Sequence, residues 1–145
     1  MPRRTTNSGI APALFDYLMA SAEATPFYNL LELEIIELGP GFAKILAHIS
    51  KKHGNPIGLL HGGLIMTAAD AAMGNAVRSL GIRGATVDFN TSFLAAGSLQ
   101  EDVIAEGKII KAGSSLYFAD ALIYSQDRLI ARSSGTFYKL GSLEY

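Results

Sequence analysis

The sequence predicts an α+β domain in which one antiparallel sheet curls around a single buried helix. Three observations predict it. Residues 62–80 read as a helix that is apolar nearly all round: Leu64, Ile65, Met66, Ala68, Ala69, Ala71, Ala72, Met73, Ala76 and Val77 leave only Thr67, Asp70 and Asn75 as polar members of its first four turns. Such a helix is buried rather than laid on a surface. Strand-like runs flank it, two before and four after, with short turn signals between them, as antiparallel neighbours require. The length of 145 residues suits one domain and its core but not a second, so the predicted domain is 1–145.

The elements follow in order. Ser8 is placed to cap a helix over about 8–24, with Ile10, Leu14, Phe15, Leu18 and Met19 at helical spacing until Pro26 stops it. Residues 28–38 alternate Leu31, Leu33 and Ile35 with Glu32 and Glu34, and Gly39-Pro40-Gly41 turns the chain into 42–49, giving a hairpin with one solvated face. The run Lys51-Lys52-His53-Gly54-Asn55-Pro56 is polar and rich in turn formers, and reads as a loop. Gly81 ends the buried helix. Strands are predicted at 83–94, where Val87, Phe89 and Phe93 alternate with Thr86, Asp88, Asn90 and Ser92, and then at 102–111, 116–124 and 128–138.

Composition narrows the function. Apolar residues make up 49% and charged residues only 17%, below the roughly 25% usual for a soluble domain, which points to surface buried by self-association. The net charge is -1 with Lys and Arg scattered, so neither a nucleic-acid footprint nor a polybasic membrane anchor is expected. No apolar run reaches the ~20 residues of a membrane span, residues 1–7 do not open a secretory leader, and a cytoplasmic location is expected. The absence of cysteine excludes a disulfide framework, thiolate metal sites and a cysteine nucleophile. His48, His53 and His61 have no grouped carboxylates, so no metal and no cofactor is expected.

Two features remain that carry chemistry. Asp70 lies among alanine, leucine and methionine, where an unpaired carboxylate is desolvated and its pKa rises; the alternative is that it faces a solvent gap or satisfies a backbone group. Gly62 and Gly63 stand where the helix begins, with free N–H groups and no side chains to keep a ligand away, an arrangement suited to an oxyanion. The alternative is that they only permit a tight turn. Asp70 lies seven residues beyond Gly63, about 10 Å along a helix, too far for both to touch one reacting carbon. Two copies with antiparallel helices would bring the acid of one to the amides of the other.

The run His61-Gly62-Gly63 followed by Asp70, with Asn55 six residues before the histidine and Thr86-Val87-Asp88-Phe89-Asn90 in the next strand, resembles the hotdog-fold acyl-CoA thioesterases. Within these it is similar to the phenylacetate-pathway group and its mammalian relative, thioesterase superfamily member two. The resemblance covers about 28–141 and implies a hotdog α+β domain, active as a homodimer and assembled as a homotetramer, that hydrolyses an acyl-CoA to free acid and coenzyme A.

The resemblance implies roles at matching positions. Asp70 would be the general base or the nucleophile. Gly63, with Gly62 beside it, would present a backbone N–H to the thioester oxygen. Asn55 would sit near the carbonyl or the attacking water, and Thr86 would help hold that water from the facing subunit. His61 would cap the helix or take part in catalysis. Phe93 and the residues to Gly97 would meet pantetheine; Lys111, Gly113, Ser114, Ser115 and Lys139 would meet the phosphates. Phe15, Phe27 and Tyr28 read as core aromatics that could also line an acyl pocket. Two other readings share the fold: a protein that binds acyl-CoA without cutting it, and a hydroxyacyl thioester hydratase or dehydratase, whose Asp and His motif is not found.

Overall fold

In the computed structural model, which describes residues 4–145, seven strands form one sheet wrapped around a long helix. Residues 1–3 of the predicted domain lie outside the described residues. The elements are β1 (Thr6–Asn7), α1 (Pro12–Glu23), α2 (Pro26–Leu31), β2 (Leu33–Gly39), β3 (Phe42–Ala47), a 3-10 turn (Lys51–His53), α3 (Gly62–Arg78), β4 (Ile82–Phe93), β5 (Val103–Ala112), β6 (Leu116–Ser125) and β7 (Arg128–Ser142). Strand order is β1-β2-β3-β5-β6-β7-β4. Only the two-residue β1 runs parallel to its neighbour; every other pair is antiparallel.

Three expectations change at the N-terminal end. Ser8 does not cap α1. That helix starts at Pro12, whose ring presets φ for the first helical position and whose missing N–H costs nothing there. Ser8 instead donates its hydroxyl to Glu37 at 2.6 Å beside β1. Residues 28–31, read as strand, belong to α2, a one-and-a-half-turn helix that also opens on proline and closes on Glu32 in the left-handed region at φ 58°. Six residues are too few to show a helical period, and the strand begins only at Leu33.

Topology brings a further correction. β4 is not beside its sequence neighbour β5: it pairs with β7 at the sheet's edge, so residues 94–102 are a crossing and not a hairpin turn. α3 ends at Arg78, and Ser79 caps it before Gly81 turns the chain at φ 77°.

The core is the concave face of the sheet closed on α3. Leu64, Ile65, Ala68, Ala69, Ala71, Ala72, Met73, Ala76 and Val77 are all buried there, while α1 adds Leu14, Leu18 and Ala22 against β2. Alanine is used because helix and sheet nearly touch: a Cβ at Gly107 of β5 would stand 2.4 Å from the carbonyl carbon of Ala72. The polar Asn75 is 1% exposed and fully used. Its Nδ2 donates to the Ala71 carbonyl (2.8 Å) and to the Tyr28 hydroxyl (3.1 Å), and its Oδ1 accepts from Arg78, whose guanidinium also reaches Ser21. This network ties α1 and α2 to α3. A buried amide satisfied on both sides costs little, whereas a half-satisfied one costs about 1–3 kcal/mol. Among the described residues no helix is long and apolar enough to cross a membrane.

Candidate active site

Along α3 the residues left partly open to solvent are Gly62, Gly63, Met66, Thr67, Asp70, Gly74 and Arg78. Their three- and four-residue spacing draws one stripe along a helix that is otherwise enclosed. Asp70 is half-buried on that stripe and accepts a 2.8 Å hydrogen bond from the Thr86 hydroxyl of β4. Burial pushes its carboxyl above the usual carboxylate range; the Thr86 bond, which favours the anion, opposes the shift without cancelling it. Asp70 faces the partly open stripe, as one of the alternatives allows, and its hydrogen-bond partner is the Thr86 side chain rather than a backbone group.

At the N-terminus of α3 the donors are distributed differently from the expectation. His61 is the N-cap, and its Nδ1 accepts the Gly63 N–H at 2.8 Å. The Gly63 N–H is therefore occupied. Among the described residues the Gly62 N–H has no acceptor, so the free donor at the positive end of the helix is Gly62. With Nδ1 accepting, the proton of neutral His61 sits on Nε2.

Asn55 stands beside Gly62 on the wall of a 350 Å³ cavity that also includes Leu60, Ile65 and the segment Phe93 to Gly97. Its Oδ1 accepts from the Ile57 and Leu59 N–H groups at 3.0 and 2.9 Å, which fixes the side-chain orientation and leaves Nδ2 without a partner among the described residues. Gly62 and Asn55, each with an unpaired donor, thus line one cavity. Position 62 is tight, since a Cβ there would lie 3.2 Å from the Phe93 ring, which would have to give way. Gly97 is required, since a Cβ would press within 2.7 Å of Leu60.

The residues expected at the phosphates gather at another place. Lys111, Gly113, Ser114 and Ser115 form the β5–β6 hairpin, and Lys139 joins them through its N–H to the Ser115 carbonyl at 2.8 Å. Gly113 departs from the expectation, because its N–H already donates to the Leu116 carbonyl at 2.9 Å. Lys139 pairs across from Gly84 and Phe93 from Ala131, so the two groups sit at opposite ends of β4, about 30 Å apart at the usual rise of a strand. One chain does not bring them together. It does not bring Asp70 to Gly62 either, since eight residues of helix separate them by about 12 Å. Of the aromatics read as core, Phe15 and Tyr28 pack against it, but Phe27 is 52% exposed and lines a second cavity with Leu31, His53, His61 and Gly63.

A helix carrying one desolvated carboxylate, wrapped by an antiparallel sheet and opening on an unpaired N–H, defines a hotdog-fold domain built for acyl transfer to water. The comparisons agree. The thioesterase superfamily model matches residues 57–131, just over half of the chain, and the chain belongs to that superfamily. Human acyl-coenzyme A thioesterase 13 is 27% identical over 134 residues, covering 89% of this chain and 96% of that protein. Among solved structures, the E. coli PaaI protein from the phenylacetic acid degradation operon superposes with a TM-score of 0.86 at 21% identity, covering 93% of this chain and 99% of that one, a likeness of fold. A hypothetical thioesterase protein from Streptococcus pneumoniae, solved with coenzyme A, gives a TM-score of 0.74 at 26% identity, covering 77% of this chain and 91% of that one.

Proposed function

We propose that the protein hydrolyses acyl-CoA thioesters at two equivalent sites, each shared between two copies of the chain. The observation that carries this reading is the division of the chemistry: the base and its threonine stand together on the α3 stripe and β4, while the two free donors stand at the start of α3, out of reach in the same chain. The β4 edge supports the pairing. Its 12 residues are exposed almost throughout, including Val87 at 58%, and a long open edge is a template for another strand. A two-fold axis beside β4 would set Asp70 of one copy against Gly62 and Asn55 of the other. On the convex face Leu116, Phe118 and Tyr138 stay exposed, which supports a further pairing of dimers into a tetramer.

In the assembled site Gly62 N–H and Asn55 Nδ2–H would donate to the thioester oxygen, stabilising the charge that develops as the carbonyl is attacked. Asp70 would take a proton from water, or attack directly, with Thr86 holding its orientation. The free His61 Nε2–H is a further donor at the same helix start. Pantetheine would lie against Phe93 to Gly97, and the phosphates near Lys111 and Lys139 with Ser114 and Ser115 beside them. No metal or organic cofactor is required by these steps, and the proposed location is the cytoplasm.

Incubating the protein with aromatic, short-chain and medium-chain acyl-CoAs in the presence of a thiol reagent should release free coenzyme A from at least one of them. Binding without release across the panel would favour the non-catalytic reading, and addition of water to an enoyl-CoA would favour the hydratase. The pH profile carries a second expected result. A base must be ionised, so kcat/KM should fall on the acid side, and because the Asp70 carboxyl is raised by burial that fall should centre above the usual carboxylate range. A profile flat down to pH values near 4 would contradict the role given to Asp70.

A further inference from the structure

We propose that His53, as the neutral imidazole with its proton on Nε2, is a positioning residue that holds the Asn55 loop and the start of α3 in their working geometry; the inference rests on the acyl-CoA thioesterase reading above. His53 is 3% exposed although its loop is otherwise polar and open. Its Nδ1 accepts the Ser50 N–H at 3.0 Å, and its Nε2 lies 2.9 Å from the Leu31 carbonyl at the end of α2. A backbone N–H aimed at one ring nitrogen and a backbone carbonyl at the other admit one protonation state, Nδ1 bare and Nε2–H.

The backbone of the same residue continues the chain of contacts. The His53 carbonyl accepts the His61 N–H at 2.9 Å, and one residue later Gly54 bridges to Leu60 while Asn55 N–H donates to Leu59. His61 in turn caps Gly63 and leaves Gly62 N–H as the free donor. Both donors proposed for the thioester oxygen thus rest on backbone hydrogen bonds of residues 53–55, and the buried His53 ring anchors that segment to Leu31 at the end of α2. Cationic imidazolium would set an N–H against the Ser50 N–H and break the connection. The titratable groups nearby are Lys51 and Lys52 on its own turn, Glu32, which pairs with Lys52 at 2.9 Å, and His61, which lines the same cavity.

His53→Ala should lower kcat/KM by about 10²-fold, mostly in kcat, the size of effect that a displacement of about 1 Å produces. Asn can keep the acceptor for Ser50 and Gln the reach to Leu31, so His53→Asn and His53→Gln should each recover part of the loss. Loss-free His53→Ala in an active enzyme would overturn the proposal; an inactive wild type would instead overturn the thioesterase reading. A second test reads the ring in the wild-type protein and leaves His53 unaltered. Long-range ¹H–¹⁵N spectra of the histidine rings, assigned with His48→Gln and His61→Gln, should show the His53 proton on Nε2, as the contacts of the two ring nitrogens require. An Nδ1–H ring would overturn the proposal.

Discussion

Asp70→Asn should lower kcat by about 10³-fold while the protein still folds, self-associates and binds acyl-CoA; general-base catalysis is worth about 10²–10⁴-fold. The substitution is nearly isosteric. Asn keeps an Oδ1 that accepts the Thr86 hydroxyl, so the 2.8 Å contact survives, but the amide takes no proton from water and forms no anhydride. Stability should move the other way. A carboxyl whose pKa is raised by burial holds its proton more tightly in the folded state than in the unfolded one, so above that pKa the ionised Asp70 works against folding. The cost vanishes below the unfolded value, as the carboxyl protonates in both states. Asp70→Asn should therefore raise Tm at neutral pH and lose that advantage in acid. Full turnover, measured as released coenzyme A, would remove Asp70 from the chemistry.

The largest structural effect should come from a single methyl group. Gly107 faces the backbone of α3, where a Cβ would stand 2.4 Å from the Ala72 carbonyl carbon, 2.5 Å from its oxygen and 2.7 Å from the Met73 nitrogen. None of these atoms belongs to a side chain that can swing aside, so Gly107→Ala must lift the helix from the sheet or bend β5. Overpacking of this kind costs about 3 kcal/mol or more, a large share of the roughly 5–15 kcal/mol that holds a domain folded. Gly107→Ala should shift the denaturation midpoint far downward or leave the protein insoluble. A wild-type midpoint would mean that α3 lies further from β5 than 2.4 Å allows.

Much of this architecture is legible in the chain because α3 and the late strands are long and strongly patterned. The apolar surround of residues 64–77 reports burial directly, and Asp70 stands out against it for the same reason. What escaped the sequence is short or non-local. α2 spans six residues and looks like the start of a strand because Leu31 and Leu33 continue an alternation across its end. β4 lies beside β7 because the chain crosses the sheet, and no local pattern encodes which strand a strand will meet. The donor shift from Gly63 to Gly62 needs the rotamer of His61, which only the folded chain supplies. The burial of His53 left a trace: Ser50 three residues earlier forms a reciprocal cap with it, a spacing that marks helix starts. That signal was masked by the lysines between them.

Everything in the proposed chemistry depends on the site being divided between two copies, and a mixture of two inactive variants tests this most directly. Asp70→Asn removes the base. Asn55→Asp keeps the Oδ1 that accepts from Ile57 and Leu59, so the loop holds, but replaces the donor with an anionic oxygen facing the developing charge. Each variant alone should be inactive. Co-expressed in equal amounts, they should recover about a quarter of wild-type thioesterase activity, because random pairing puts an intact Asp70 opposite an intact Asn55 in about one site of four. A mixture as inactive as its components, with mixed dimers demonstrated by mass spectrometry, would contradict the shared site and return the whole reaction to a single chain.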